Sequence, residues 1–218
     1  KVITDYEVTE VGQKHREGIR FVPASSQLLI GDGVAPVFQG DDVPFTIITV
    51  EKPLTNANRA VWSSGRGADG DYYNELYYGS SGNVKGSLRR SVTTTQTVLG
   101  TVPILLQPQI TTYVFNGTTS SLYTNGIEDW IRTTQDSTTM STNPNQFTVG
   151  ALRRSTVSDY FDGNMHELIV LNKAITETER LYLEAHLAKK WNIPNVFHPE
   201  TQNILPSDFD GLVRWYDG

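Results

Sequence analysis

The residues best equipped for chemistry lie between Trp62 and Asn83, where Trp62, Tyr72, Tyr73, Tyr77 and Tyr78 sit among glycines with Asp69, Asp71, Asn74 and Glu75. Aromatic faces stack on the apolar faces of sugar rings, while Asp and Asn bind hydroxyls, so this composition suits a saccharide site. The candidate ligand-binding set is Trp62, Asp69, Asp71, Tyr72, Tyr73, Asn74 and Tyr77. The competing reading is that the tyrosines pack in a strand running through Leu76–Gly79. Asp69, Asp71 and Glu75 also offer hard oxygens to calcium, which takes six to eight of them. They lack EF-hand spacing, and a solvated acidic loop explains them as well. Asp159, Asp162 and Asn164 form a second set of the same kind.

Catalytic constellations are missing. Two carboxylates facing one glycosidic bond would be supplied by a single strand at Glu-x-Asp spacing, because alternate residues share a face. No Glu-x-Asp occurs in the chain. There is no cysteine and no Gly-x-Ser-x-Gly elbow, and His15, His166, His186 and His198 are scattered. His166-Glu167 is not a His-Glu-x-x-His zinc motif, and strand alternation would point the two residues to opposite faces. The chain therefore reads as a non-enzyme with no assured cofactor.

These residues must be positioned by β structure. In the 218-residue chain, short apolar runs alternate with Gly, Asn, Asp, Pro and Thr. Strands are predicted at 19–22, 28–30, 45–50, 60–62, 110–115, 120–124, 147–149 and 165–171. Asn116-Gly117 and Asn125-Gly126 each follow a β-rich run, and both fit type I′ turns, giving a three-stranded meander over 110–132. Thr- and Ser-rich stretches at 91–101 and 133–142 read as exposed loops or as edge strands. The exception is Thr176-Glu177-Thr178-Glu179, a capping box that starts a helix over about 176–190. Its stripe carries Leu181, Ala185 and Ala188, widened by Leu187 and Trp191, with Lys189 and Lys190 in the last turn and Pro194 to stop it.

The 38% hydrophobic content suits strands that bury one face. A net charge of −6 without a basic stripe speaks against nucleic acid and anionic membranes as partners. No apolar run is long enough for a membrane span. The absence of cysteine in a β-domain of this size leans towards a bacterial or viral source.

The order of the pieces resembles the concanavalin A-like, laminin-G-like jelly rolls. The resemblance rests on Gly18-Ile19-Arg20-Phe21 with Ser26–Ile30, Phe45–Pro53, Tyr113–Gly117 with Leu122–Gly126, and Phe161–Val170. Lys190-Trp191-Asn192-Ile193 is similar to the tail of bacterial and phage versions. The resemblance implies an all-β, two-sheet antiparallel jelly-roll sandwich with one short helix, used for carbohydrate binding, adhesion or virion structure. On this reading residues 1–193 form the sandwich, 194–207 a linker, and 208–218 a strand that either rejoins the sandwich or begins a second repeat. The expected function is lectin-like recognition of surface glycan, extracellularly, on a virion or bacterial surface. The alternative is a structural module that contacts neighbouring subunits, with homo-oligomers included.

Overall fold

The computed structural model describes residues 18–55, 57, 59–67, 73–79, 84–90, 95–103, 106–132, 143–193 and 210–217. Two antiparallel sheets face each other. One contains β1 (Ile19–Phe21), β3 (Phe45–Pro53), β8 (Gln109–Phe115), β9 (Ser120–Thr124), β10 (Ile127–Arg132), β14 (Gly163–Leu171) and β15 (Leu212–Asp217). Its order is β10-β9-β8-β3-β14, with β1 and β15 placed end to end along the far edge of β14. The other sheet runs β2 (Leu29–Ile30), β11 (Gln146–Val149), β4 (Arg59–Gly65), β5 (Tyr73–Tyr78), β6 (Val84–Arg90) and β7 (Thr95–Pro103). A small hairpin, β12 (Leu152–Arg153) with β13 (Val157–Ser158), forms a separate two-stranded sheet.

The expected sandwich is therefore present, and Leu212–Asp217 supplies a strand to its sheet. The stretch 95–103 is an edge strand of the six-stranded sheet, whereas 133–142 lies outside the described residues.

Inward-facing side chains of both sheets form an aromatic core. Phe45, Tyr113 and Phe115 come from one sheet, and Trp62, Tyr78 and Phe147 from the other. The indole of Trp62 lies 6.4 Å from the Phe38 ring at 12° and 6.3 Å from Phe147 at 21°.

One-face burial, expected of every strand, fails for β3, β8 and β14. α1 (Glu177–Trp191) lies on the outer face of their sheet. Ile48, Val50, Ile110, Ile169 and Leu171 pack there against Leu183, Leu187 and Ala188. That is why Phe45–Val50 shows no hydrophobic alternation: both faces of the strand are buried.

The helix begins as expected, with Thr176 and Glu179 capping each other. It ends differently. Asn192 adopts φ 53°, and its amide donates to the Ala188 carbonyl, so the helix is closed before Pro194 is reached. The buried stripe includes the expected Ala185, Leu187 and Ala188 but also takes in Arg180, Leu183 and Glu184, with Leu181 only half-buried. Its charged members pair with each other, Arg180 Nη1 to Glu184 Oε2 at 2.7 Å.

The second turn is type I′, with Asn125 at φ 50° and Gly126 at φ 81°. The first is not. The loop spans 116–119, and Asn116 Oδ1 accepts from the amides of Thr118 (2.9 Å) and Thr119 (2.7 Å), so the asparagine acts through its side chain.

Candidate functional site

Register divides the tyrosine-rich segment between two environments. β5 pairs with β4 through Trp62↔Leu76, Ser63↔Glu75, Ser64↔Asn74 and Gly65↔Tyr73, with a bulge between Ala60 and Trp62. Asn74, Leu76 and Tyr78 face the sandwich interior; Tyr73, Glu75 and Tyr77 face outward.

This split corrects part of the sequence reading. Trp62 is 1% exposed and belongs to the aromatic core, so it offers no face to a ligand. Asn74 is buried, its Nδ2 donating to Ser64 Oγ at 3.0 Å, which removes it from any surface site. Asp69, Asp71 and Tyr72 lie outside the described residues. Tyr73, Tyr77 and Glu75 share one outer face, as period-two alternation requires.

A second element completes that face. Residues 151–159 fold back over the outer side of β4, where Ser63 Oγ donates to the Ala151 carbonyl at 2.9 Å and the Arg153 amide donates to Ser63 Oγ at 3.1 Å. The Ala60 amide donates to the Asp159 carbonyl at 2.8 Å. Gly65 permits this closeness, because a Cβ there would overlap the Arg153 carbonyl. Leu152 packs against Ala60 and Tyr73. The Arg154 guanidinium stands over the Tyr73 ring, 5.1 Å from its centroid, a cation–π geometry. On the opposite side, Leu88 and Arg90 of β6 are the backbone partners of Glu75 and Tyr73.

Glu75 is the electrostatic centre. It is 8% exposed, and no hydrogen bond to its carboxyl is found among the described residues. Burial pushes its pKa from 4.5 up to about 7, the charge of Asp159 adds to the rise, and Arg154 opposes it. The Tyr77 hydroxyl is raised by burial and then by the charges of Glu75 and Tyr73. Among the described residues no group of three His, Asp or Glu is gathered as a metal site would need. Asp162 pairs with Arg20 at 2.7 Å, and Asp159 Oδ2 accepts from Ser158 Oγ at 3.0 Å.

Sequence reasoning missed Arg154, Leu152 and the influence of Asp159 on Glu75. Some eighty positions separate the two carboxylates, and a search for pairs within one strand cannot see them. The left-handed φ of 50° at Asp159 was the available local signal, but only the backbone reveals it.

Two other polar groups have structural explanations. Inside the sandwich, Tyr78 and Thr111 hydroxyls donate to Glu51 Oε1 at 2.7 and 2.6 Å, and Gln109 Nε2 donates to the Tyr78 oxygen. Under α1, the bulge between Met165 and Glu167 breaks the expected alternation, so both His166 and Glu167 meet Trp191.

The family profile described as the concanavalin A-like lectin/glucanases superfamily matches residues 28–179, well over half the chain. No curated protein matches the chain at the level of sequence. Among solved structures, the NanB sialidase from Streptococcus pneumoniae is similar with a TM-score of 0.63 and 16% identity, over 75% of this chain and 27% of that one. The CBM40 of the Ruminococcus gnavus IT-sialidase bound to α2,3-sialyllactose gives a TM-score of 0.59 and 19% identity, over 75% and 90%. A Bacteroides ovatus protein gives 0.55 and 15%, over 82% and 46%. The chain thus spans about a quarter of the NanB sialidase. At these identities the likeness establishes the fold.

Proposed function

The chain belongs to the concanavalin A-like lectin/glucanase superfamily, and from that premise we propose that it is a non-catalytic, lectin-like module binding saccharide on the outer face of its six-stranded sheet. One observation carries this reading. Tyr73, Glu75 and Tyr77 stand together on the sheet face that α1 does not cover, bordered by Arg154 and Asp159. Tyr77 is half-exposed and supplies the stacking ring; the carboxyls and the guanidinium supply the polar contacts. Sialyllactose on the CBM40 of similar fold supports a saccharide ligand in general terms.

The reading extends to context. The module works outside the cell, on a bacterial or virion surface, with residues 1–193 as the sandwich, 194–207 as linker and 208–218 as the strand that rejoins it. The pairing of β15 with β14 supports that last assignment. Among the described residues no helix is long and apolar enough to cross a membrane.

A glycan array probed with the wild-type domain and with Tyr77→Ala tests the proposal. Binding to a defined set of saccharides, lost in a folded Tyr77→Ala, is expected; binding that survives this substitution would place the site elsewhere. A second reading, a module for subunit contacts, is favoured by exposed Leu99 on β7 and by Ile127 and Trp130 on β10. It predicts no glycan signal and concentration-dependent oligomers in sedimentation.

A further inference from the structure

We infer that Glu75 recognises the saccharide as a proton donor, with Asp159 placed to keep the proton on it, so that ligand is held by the neutral carboxyl and released when the carboxyl ionises. The inference rests on the saccharide-binding reading above and goes on to name the atom that decides affinity.

The geometry leads to it in three steps. First, Glu75 is fixed on the outer face between two tyrosines of its own strand, at positions two before and two after it. Second, its carboxyl is nearly enclosed and no hydrogen bond reaches it among the described residues, so its hydrogen-bonding capacity is left for a ligand. This is unlike the other buried carboxyls: Glu51 takes two hydroxyl donors, Glu184 takes Thr112 and Arg180, and Glu167 takes Lys190 and Trp191. Third, a charge of like sign that acts on Glu75, that of Asp159, is brought from another element. The backbone bond from Ala60 to Asp159 pins that residue at the sheet, where its charge disfavours ionisation of Glu75.

Among the described residues, the charged and titratable groups facing Glu75 are Tyr73 and Tyr77 on β5, with Arg154 and Asp159 on the 151–159 loop. Arg90 of β6 is the register partner of Tyr73. Burial and Asp159 favour the protonated form, and Arg154 opposes it; the first two prevail. A protonated carboxyl donates one hydrogen bond, which suits the hydroxyl, ring or carboxylate oxygens of a sugar. An ionised one can only accept, and would repel an acidic sugar.

The test uses the whole chain and the tightest saccharide found on an array of neutral, N-acetylated and acidic oligosaccharides read at pH 5.5. Calorimetric titration between pH 5 and 9 should show wild-type affinity constant at the acid end. Above neutrality it should fall by ~tenfold per pH unit, as the competent fraction falls. Glu75→Gln keeps a neutral donor at every pH, so it should bind at pH 5.5 within a few-fold of wild type and lose the pH dependence. Asp159→Asn should move the fall in affinity to lower pH.

The midpoint is checked without ligand by the 13C shift of the Glu75 carboxyl, which should titrate near 7 in wild type and lower in Asp159→Asn. Affinity independent of pH, with Tyr77→Ala still abolishing binding, would overturn the proton-donor role while leaving the binding face intact. No binding to any saccharide at pH 5.5 would overturn both.

Discussion

The two outer faces of the sandwich each bury a glutamate and treat it in opposite ways. On the seven-stranded sheet α1 provides a roof, and Glu184, fully buried, accepts from Thr112 Oγ1 at 2.6 Å and from Arg180 Nη1 at 2.7 Å. The Arg180 guanidinium also lies 3.9 Å from the Tyr123 ring centroid and reaches Glu177. Burial raises the Glu184 pKa, but Arg180 and Thr112 pull against the rise. On the six-stranded sheet Glu75 has a like charge beside it and no hydrogen bond among the described residues. A buried charge with its bonds filled fastens one element to another. A buried carboxyl with its bonds open is what a protein keeps for a ligand.

The largest effect is expected from breaking the filled side. Arg180→Ala leaves Glu184 buried beside Thr112 with no counter-charge, and loss of one partner from a buried pair costs about 3–5 kcal/mol. Urea unfolding at pH 7 should show a shift of that size. A change below about 1 kcal/mol would mean that α1 is held by its apolar contacts alone and that the two faces differ less than their hydrogen bonds suggest.

The open side should show itself through pH. The Glu75 pKa is raised in the folded state, so its contribution to stability is complete below 4.5 and is lost as pH rises through about 7. The ionised form is disfavoured by up to ~3 kcal/mol. Glu75→Gln should therefore be more stable than wild type at pH 8 by up to that amount and nearly equal at pH 4. The measurement is denaturant midpoint against pH for both proteins. A mutant less stable at pH 8 would show that Glu75 is paired after all.

Between these lies the seam where the sheets meet. Asp129, at a bulge in β10, accepts from the amides of Thr101 and Val102 on β7 and from Thr124 Oγ1 at 3.0 Å. Its carboxylate does the work of a strand pair across the gap between sheets. Asp129→Ala orphans two backbone amides, and about 1–3 kcal/mol should be lost. Amide exchange at Thr101 and Val102 should quicken more than in the sheet centre.

How much of this contrast was legible in sequence follows from range. The β runs, the Asn125-Gly126 turn and the capping box at Thr176 are local and were readable, because each depends on a few adjacent residues. Trp62 was misread because a tryptophan among glycines looks the same whether its strand turns it in or out. The bulge after Ala60 sets that choice, and nothing in the local composition marks it. Arg180 and Glu184 were passed over because charged residues weaken an apolar stripe, although each cancels the other once buried. The Glu75–Asp159 encounter depends on tertiary closure of the 151–159 loop. Gly65 makes room for it from a position remote in sequence, and only the fold reveals why a glycine stands there.

The smallest effect on stability is also the most discriminating. Tyr77 is half-exposed on the open face, so Tyr77→Ala should alter stability by about 0.5–1 kcal/mol, far less than a core aromatic such as Trp62, where about 3–5 kcal/mol is expected on truncation to Ala. If saccharide binding falls at least tenfold while the denaturation midpoint hardly moves, recognition has been separated from folding. If Tyr77→Ala instead unfolds the domain as Trp62→Ala would, the open face is core in disguise. The contrast between the two sides of the sandwich would then reduce to which of them a helix happens to cover.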